Sequence, residues 1–151
     1  MQTTASLFID GASAADVFEQ LAALDRYPAW MRLVHRVEGL APDDGRPAWR
    51  VELRARVGPF ARSKQLRMVR TVHEPDRCVR FERVPDDERD HAAWILTATV
   101  GGTPDGTELV TDLTYTGALW GSAILQRVLD DEIRRGKAAL RGLVTVPPPT
   151  R

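Results

Sequence analysis

The chain has 151 residues, 43% of them hydrophobic, which is one domain's worth of polypeptide with an ordinary core fraction. Its 21 basic and 21 acidic residues cancel, so the molecule as a whole is not built to coat nucleic acid or an anionic membrane. One cysteine, Cys78, excludes an internal disulfide framework and a multi-cysteine metal cluster, and no apolar run approaches the ~18 residues of a membrane span.

Polar Gln2, Thr3 and Thr4 open the chain without the basic start and apolar stretch of a signal peptide, which makes the cytoplasm the default expectation. Thr4 to Asp10 then reads as a strand, with Ala5, Leu7 and Ile9 alternating against Ser6 and Phe8. Gly11 breaks it. Ser13 is a good N-cap, and Val17, Phe18, Leu21 and Leu24 recur at helical spacing, so the pattern predicts a helix over Ala14 to Leu24. A second short helix is expected from Asp25 to Met31, with Pro28 near its first turn.

From Val34 the period changes to two. Val34–Leu40 is a strand, and Pro42-Asp43-Asp44-Gly45 is a turn. Trp49, Val51, Leu53, Ala55 and Val57 alternate with Arg50, Glu52, Arg54 and Arg56, a half-buried strand with a charged outer face. Gly58-Pro59 turns it. Further strands follow at Arg62–His73, Cys78–Val84, Ala92–Val100 and Thr107–Thr116, with turns at 74–77, 85–88 and 101–106. After Gly117 the period returns to 3.6. Ile124, Leu125, Val128, Leu129, Ile133, Leu140 and Val144 mark a final helix, Ser122 to Val144, ~34 Å long at 1.5 Å per residue. Three prolines close the chain at 147–151. The order is β-α-α-β-β-β-β-β-β-α in a single domain spanning 1–151.

Six consecutive antiparallel strands make a curved meander whose inner face needs a cover, and the final helix is the only large candidate. Asp25-Arg26-Tyr27-Pro28-Ala29-Trp30, following a helix that follows the first strand, resembles the Asp…Tyr-Pro-x-Trp segment of the helix-grip superfamily. That superfamily includes START domains, Bet v 1 allergens, coenzyme Q-binding proteins and bacterial polyketide cyclases. The Thr107–Gly117 strand leading into a long terminal helix is similar too. The resemblance covers nearly the whole chain. It implies an α+β helix-grip fold and, in a superfamily of binders, transporters and enzymes, leaves the reaction open.

Turn lengths place Arg70 opposite Phe81, Val72 opposite Val79, Met68 opposite Arg83, Phe81 opposite Trp94, Trp94 opposite Leu113 and Ala92 opposite Tyr115. This makes an inner face of Val51, Leu53, Leu66, Met68, Arg70, Val79, Phe81, Trp94, Leu96, Leu113 and Tyr115. The outer face carries Arg50, Glu52, Arg54, Arg56, Arg67, Arg80, Glu82, Thr97, Asp112 and Thr114, mixed signs suited to cross-strand pairs. The excess of arginine between 50 and 83 therefore reads as a solvated sheet face, and no aromatic is interleaved there for base stacking.

A cavity on the order of a few hundred Å³ is expected between the final helix and the row Arg70, Phe81, Trp94 and Leu113. Gly136, Ala138 and Ala139 offer it little filling. The expected ligand-binding set is Trp30, Leu53, Leu66, Met68, Arg70, Phe81, Arg83, Trp94, Leu96, Leu113 and Tyr115. Some of these have a second reading. The other reading of Trp30 is a plug at one end of the core. Arg70 and Arg83 are either donors for a ligand carboxylate or phenolate, or they snorkel to the rim or pair with Asp130, Asp131 or Glu132. Ile133 and Leu140 should point inward, with Gly136 allowing close approach to a strand.

The chemistry of the remaining residues is sparse. His35, His73 and His91 share no metal-ligand spacing, and parity turns His73 and His91 outward or into turns. No serine sits in a familiar nucleophile motif, Cys78 falls on the outer parity, and no Gly-rich phosphate loop precedes a helix. Nothing demands a cofactor or a metal. The expected partner is a small hydrophobic molecule of polyketide, lipid or isoprenoid type, with no nucleic acid, no membrane insertion, and a monomer or homodimer. The alternative is a polyketide cyclase/aromatase-like enzyme acting by positioning and proton transfer, with Arg70 and Tyr115 as its polar assistants.

Overall fold

Alternation of apolar and polar side chains builds seven strands, and two helical segments separate the first from the rest. The computed structural model describes residues 2–57, 59–85, 92–116 and 122–144. In chain order the elements are β1 (Gln2–Asp10), α1 (Ala14–Leu21), a 3₁₀ helix (Leu24–Ala29), β2 (Val34–Asp43), β3 (Arg46–Val57), β4 (Phe60–Glu74), β5 (Cys78–Arg83), β6 (Trp94–Thr103), β7 (Gly106–Tyr115) and α2 (Ser122–Val144). The strands form one antiparallel sheet in the order β1-β7-β6-β5-β4-β3-β2. This is the expected α+β helix-grip arrangement. The turn at 86–88, Gly58, Gly117, His91, the tail at 147–151 and the side chains of Val57, Ile124, Leu125 and Leu129 lie outside what is described.

Local chemistry sets the boundaries. Ser13 caps α1, its Oγ accepting the Asp16 N–H at 3.1 Å. The helix ends at Leu21, earlier than periodicity predicts, because side chains take over its final carbonyls. Trp30 Nε1 donates to Gln20 O (3.3 Å), Tyr27 Oη to Leu21 O (3.0 Å) and Arg70 Nη1 to Ala22 O (2.8 Å). A helix C-terminus leaves such carbonyls without intrahelical partners, and here two residues of the Tyr-Pro-x-Trp segment supply them. Asp44 and Gly45, both at positive φ, form the tight turn between β2 and β3.

The strand register follows the prediction in β4–β5, where Arg70 faces Phe81 and Met68 faces Arg83. Beyond β5 it differs by two residues. Phe81 faces Leu96 rather than Trp94, and Trp94 faces Tyr115 rather than Leu113, with Ala92 preceding the strand. Between β6 and β7 the cause is the turn. Gly101 and Gly102 stay in β6, and Pro104-Asp105 alone joins the strands, with Thr103 Oγ1 accepting the Asp105 and Gly106 N–H groups at 3.3 and 3.2 Å. A slip of two keeps every side chain on its face. Val51, Leu53, Leu66, Met68, Val79, Phe81, Trp94 and Tyr115 are accordingly all buried.

One register shift does change faces. Arg70 pairs with Phe81, yet Val72 pairs with Arg80, so Thr71 is the extra residue of a β-bulge. Val72 therefore turns outward instead of meeting Val79. His73 turns inward instead of outward, opposite Val79, and its ring stacks on Phe18 of α1 at 5.7 Å. The outer face holds one cross-strand contact of the expected kind, Arg80 Nε donating to Thr97 at 3.1 Å, and Arg67 of β4 reaches past β3 to pair with Asp43 at 3.3 Å.

Helix α2 lies over the concave face. Leu140 is fully buried in the core. Gly136 of α2 approaches not a strand but the end of the 3₁₀ helix: a Cβ added there would lie 2.8 Å from the Trp30 carbonyl oxygen.

Candidate functional site

A cavity lies between α2 and the sheet. Leu53 and Val51 of β3, Leu66 and Met68 of β4, Trp94 and Leu96 of β6, and Leu113 and Thr111 of β7 form its floor. These are the inward positions of their strands, so the period-two pattern places them there. Thr3 and Ala5 come from the edge strand β1, and Val34 from the opposite edge strand β2. The sheet thus curls far enough for both edges to border one space. Leu24, Met31 and Leu33 close one end, and Ile133 of α2 forms the roof.

Six of the expected ligand-binding residues line this cavity: Leu53, Leu66, Met68, Trp94, Leu96 and Leu113. Five do not. Trp30 packs against Tyr27 and Gly136 and caps α1, so it plugs the end of the core. Phe81 lies in an aromatic cluster, edge-on to Tyr27 at 5.9 Å and to Trp49 at 5.6 Å. Tyr115 packs on Trp94 at 4.4 Å, behind the wall. Arg70 is half-buried against the α1 terminus; it bonds the Ala22 carbonyl and makes no contact with Asp130, Asp131 or Glu132. Arg83 donates to the Ala92 carbonyl at 3.1 Å; burial first, and the Arg83 charge second, push the pKa of Lys64 down.

The sequence reading left out Thr3, Ala5, Val34 and Thr111 of the strands, and Leu24, Met31 and Leu33, as lining residues. The last three sit in and just after the 3₁₀ helix. Leu24 falls at the helical spacing of α1, and Met31 and Leu33 offer only apolarity beside Trp30.

The cavity measures about 80 Å³, well short of the expected few hundred. The reason is the roof. Gly136 is filled by Trp30, while Ala138 and Ala139 face solvent, so none of these three small residues stands over the cavity. Its surface is almost wholly apolar, and no titratable group is among the lining residues. The phenol of Tyr27, fully buried nearby, is held far above its ordinary pKa by desolvation. Burial, with Glu74 nearby, likewise raises the Cys78 thiol, which disfavours the thiolate. Among the described residues no three His, Cys, Asp or Glu side chains gather as a metal site, and no helix is long and apolar enough to cross a membrane.

An antiparallel sheet gripping a C-terminal helix over an apolar cavity defines a class of fold, and the sequence supplies the family. The family described as polyketide cyclase / dehydrase and lipid transport matches residues 1–145, and the chain belongs to it. No curated protein matches the sequence. Among solved structures, the chain is similar to a START superfamily protein from Mycobacterium smegmatis, at 18% identity and a TM-score of 0.69, covering 95% of this chain and 96% of that one. It is also similar to the ZhuI aromatase/cyclase of a Streptomyces species, at 15% identity and a TM-score of 0.67, covering 94% and 92%. A third is the di-domain aromatase/cyclase StfQ of the steffimycin biosynthetic pathway, at 15% identity and a TM-score of 0.68. The likeness covers 95% of this chain and spans 50% of that protein's length.

Proposed function

We propose that the protein binds a small apolar molecule, of polyketide, lipid or isoprenoid type, between α2 and the concave sheet face. The observation that carries this reading is the cavity itself: a space bordered by both sheet edges and roofed by one helix, with apolar walls. Each Å² of apolar ligand surface taken from water there contributes ~25 cal/mol.

The space of about 80 Å³ is roughly half the ~150 Å³ that accommodates a benzene. A larger ligand therefore enters by displacing α2 outward. The described polar ties of α2 to the body suit such a displacement: Gln126 to Thr3 (2.9 Å), Glu132 to the Leu33 N–H (3.2 Å) and Arg141 to the Phe8 carbonyl (3.5 Å). The cyclase reading lacks comparable support, because Arg70 and Tyr115 stand off the cavity wall.

The test is titration with a neutral apolar fluorophore, N-phenyl-1-naphthylamine. Binding should quench Trp94, and the Trp94→Phe variant should lose that part of the signal. Leu113→Trp, which fills the cavity, should abolish binding while leaving the circular dichroism spectrum unchanged. Arg70→Leu should bind as the wild type does. Unchanged binding by a folded Leu113→Trp protein would sink the proposal.

A further inference from the structure

A second concavity, of about 600 Å³, adjoins the first and has the opposite chemistry. The two share a boundary along the chain. Leu33, Val34, Leu53 and Ile133 face the apolar cavity, and their neighbours Arg32, His35, Arg54 and Glu132 face the polar cleft. The change of face from Leu53 to Arg54 in β3 and the bulge at His35, where Val34 pairs with Leu53 and Arg36 with Glu52, set these neighbours apart, and Ala55, on the face of Leu53, lines the cleft side.

The cleft exists because β2 starts late. Val34 pairs with Leu53, so beyond that point β3 continues as Arg54–Val57 with β4 on one side and no strand on the other. The Arg54 N–H still reaches the Leu33 carbonyl at 2.9 Å. Antiparallel alternation aims the Arg56 N–H to the same side, where no strand receives it. Across the gap α2 contributes Val128, Asp131, Glu132 and Arg135.

Four arginines, Arg32, Arg54, Arg56 and Arg135, therefore border with His35 one cleft that holds two carboxylates. Glu132 already accepts the Leu33 N–H. None of the four arginines is ion-paired among the described residues. Elsewhere on the sheet arginines do find partners, such as Arg67 with Asp43. A guanidinium presents paired donors that match a carboxylate or phosphate.

From this juxtaposition we infer that the ligand is an anionic amphiphile: its apolar tail occupies the cavity under Ile133, and its carboxylate or phosphate head sits in the cleft among Arg32, Arg54, Arg56 and Arg135. The inference rests on the apolar-ligand reading above and adds the polarity, sign and direction of the molecule. The head group remains at solvent while the tail passes the Leu33–Ile133 boundary.

Calorimetric titration of the full chain with decanoate, 1-decanol, decyltrimethylammonium, acetate and inorganic phosphate tests it, all below micellar concentrations. The double variant Arg54→Gln/Arg135→Gln should weaken decanoate roughly tenfold, the loss of one to two charge-assisted hydrogen bonds, and leave 1-decanol within about twofold of wild type. Decyltrimethylammonium should bind no better than 1-decanol. Leu113→Trp should lose decanoate as well, since the tail then has no site. If 1-decanol binds and the arginine substitutions leave decanoate unchanged, the head-group assignment is wrong while the cavity reading stands. If phosphate or acetate alone binds as tightly as decanoate, with the same arginine dependence, the cleft is an independent anion site and the amphiphile is overturned. If neither tailed molecule binds, the cavity reading fails first and takes this inference with it. Arg56→Gln with Arg32→Gln gives an independent pair should the first variant fold poorly.

Discussion

The two ends of the concave sheet face share one alternation pattern yet are filled in opposite ways. At one end Tyr27, Trp30, Trp49 and Phe81 interlock, with ring centroids 4.8 to 5.9 Å apart, and leave no space. At the other, Leu53, Leu66, Leu96 and Leu113 lie under α2 around a cavity. The covers explain the contrast. The 3₁₀ helix is joined directly to α1 and fastened to it by the Tyr27 and Trp30 side chains. Helix α2 presents Ile133 and a few polar ties. One end carries stability; the other is free to accommodate.

The largest expected effect breaks the aromatic end. Phe81→Ala should cost about 3–5 kcal/mol, since the ring is fully buried and its neighbours cannot collapse into the hole. Leu113→Ala, at a half-buried position beside existing space, should cost nearer ~2 kcal/mol. Urea unfolding measures both, and equal losses would erase the distinction between the ends.

A smaller effect concerns how α2 is seated. Gly136→Ala gains up to ~1 kcal/mol of helix propensity, yet its Cβ meets the Trp30 carbonyl at 2.8 Å, so a net loss of ~1–3 kcal/mol is expected. Gly142 has nothing within 4 Å of its added Cβ, and Gly142→Ala should stabilise by up to ~1 kcal/mol. Thermal unfolding of the pair should show shifts of opposite sign. A neutral Gly136→Ala would mean that α2 does not bear on Trp30.

The smallest effect is the pH dependence at the bulge. Desolvation first, and the Arg70 charge second, hold the His73 imidazole below its ordinary value of 6.5. The folded state therefore binds fewer protons than the unfolded state as pH drops through 6.5, and His73 makes the protein less stable there. Because the side chain is largely exposed, the contribution is small. His73→Gln should flatten the difference in unfolding midpoint between pH 7.5 and pH 5; an unchanged slope assigns it to other groups.

Much of this was legible in the sequence, for identifiable reasons. Strand faces follow from period two, and an error of two residues at the β6–β7 turn left Trp94, Leu96 and Leu113 on the correct side. The bulge at Thr71 was not legible, because nothing in Arg70-Thr71-Val72 marks an extra residue, and so His73 was misplaced. The partner of Arg70 was equally hidden: the Ala22 carbonyl becomes available only where α1 stops in space. The cavity floor came from strands and could be read. Its end wall, Leu24, Met31 and Leu33, came from irregular chain and could not.

Strand β1 pairs only with β7, so its other edge faces away from the sheet. There α2 meets it, Gln126 at Thr3 and Arg141 at the Phe8 carbonyl. The helix that roofs the cavity is therefore also the guard of a sheet edge, beside an exposed Phe8. Lifting it to admit a ligand bares a row of backbone groups ready to accept a strand from a second copy. The form with α2 lifted, not the closed one, is therefore the form in which self-association through this edge would start.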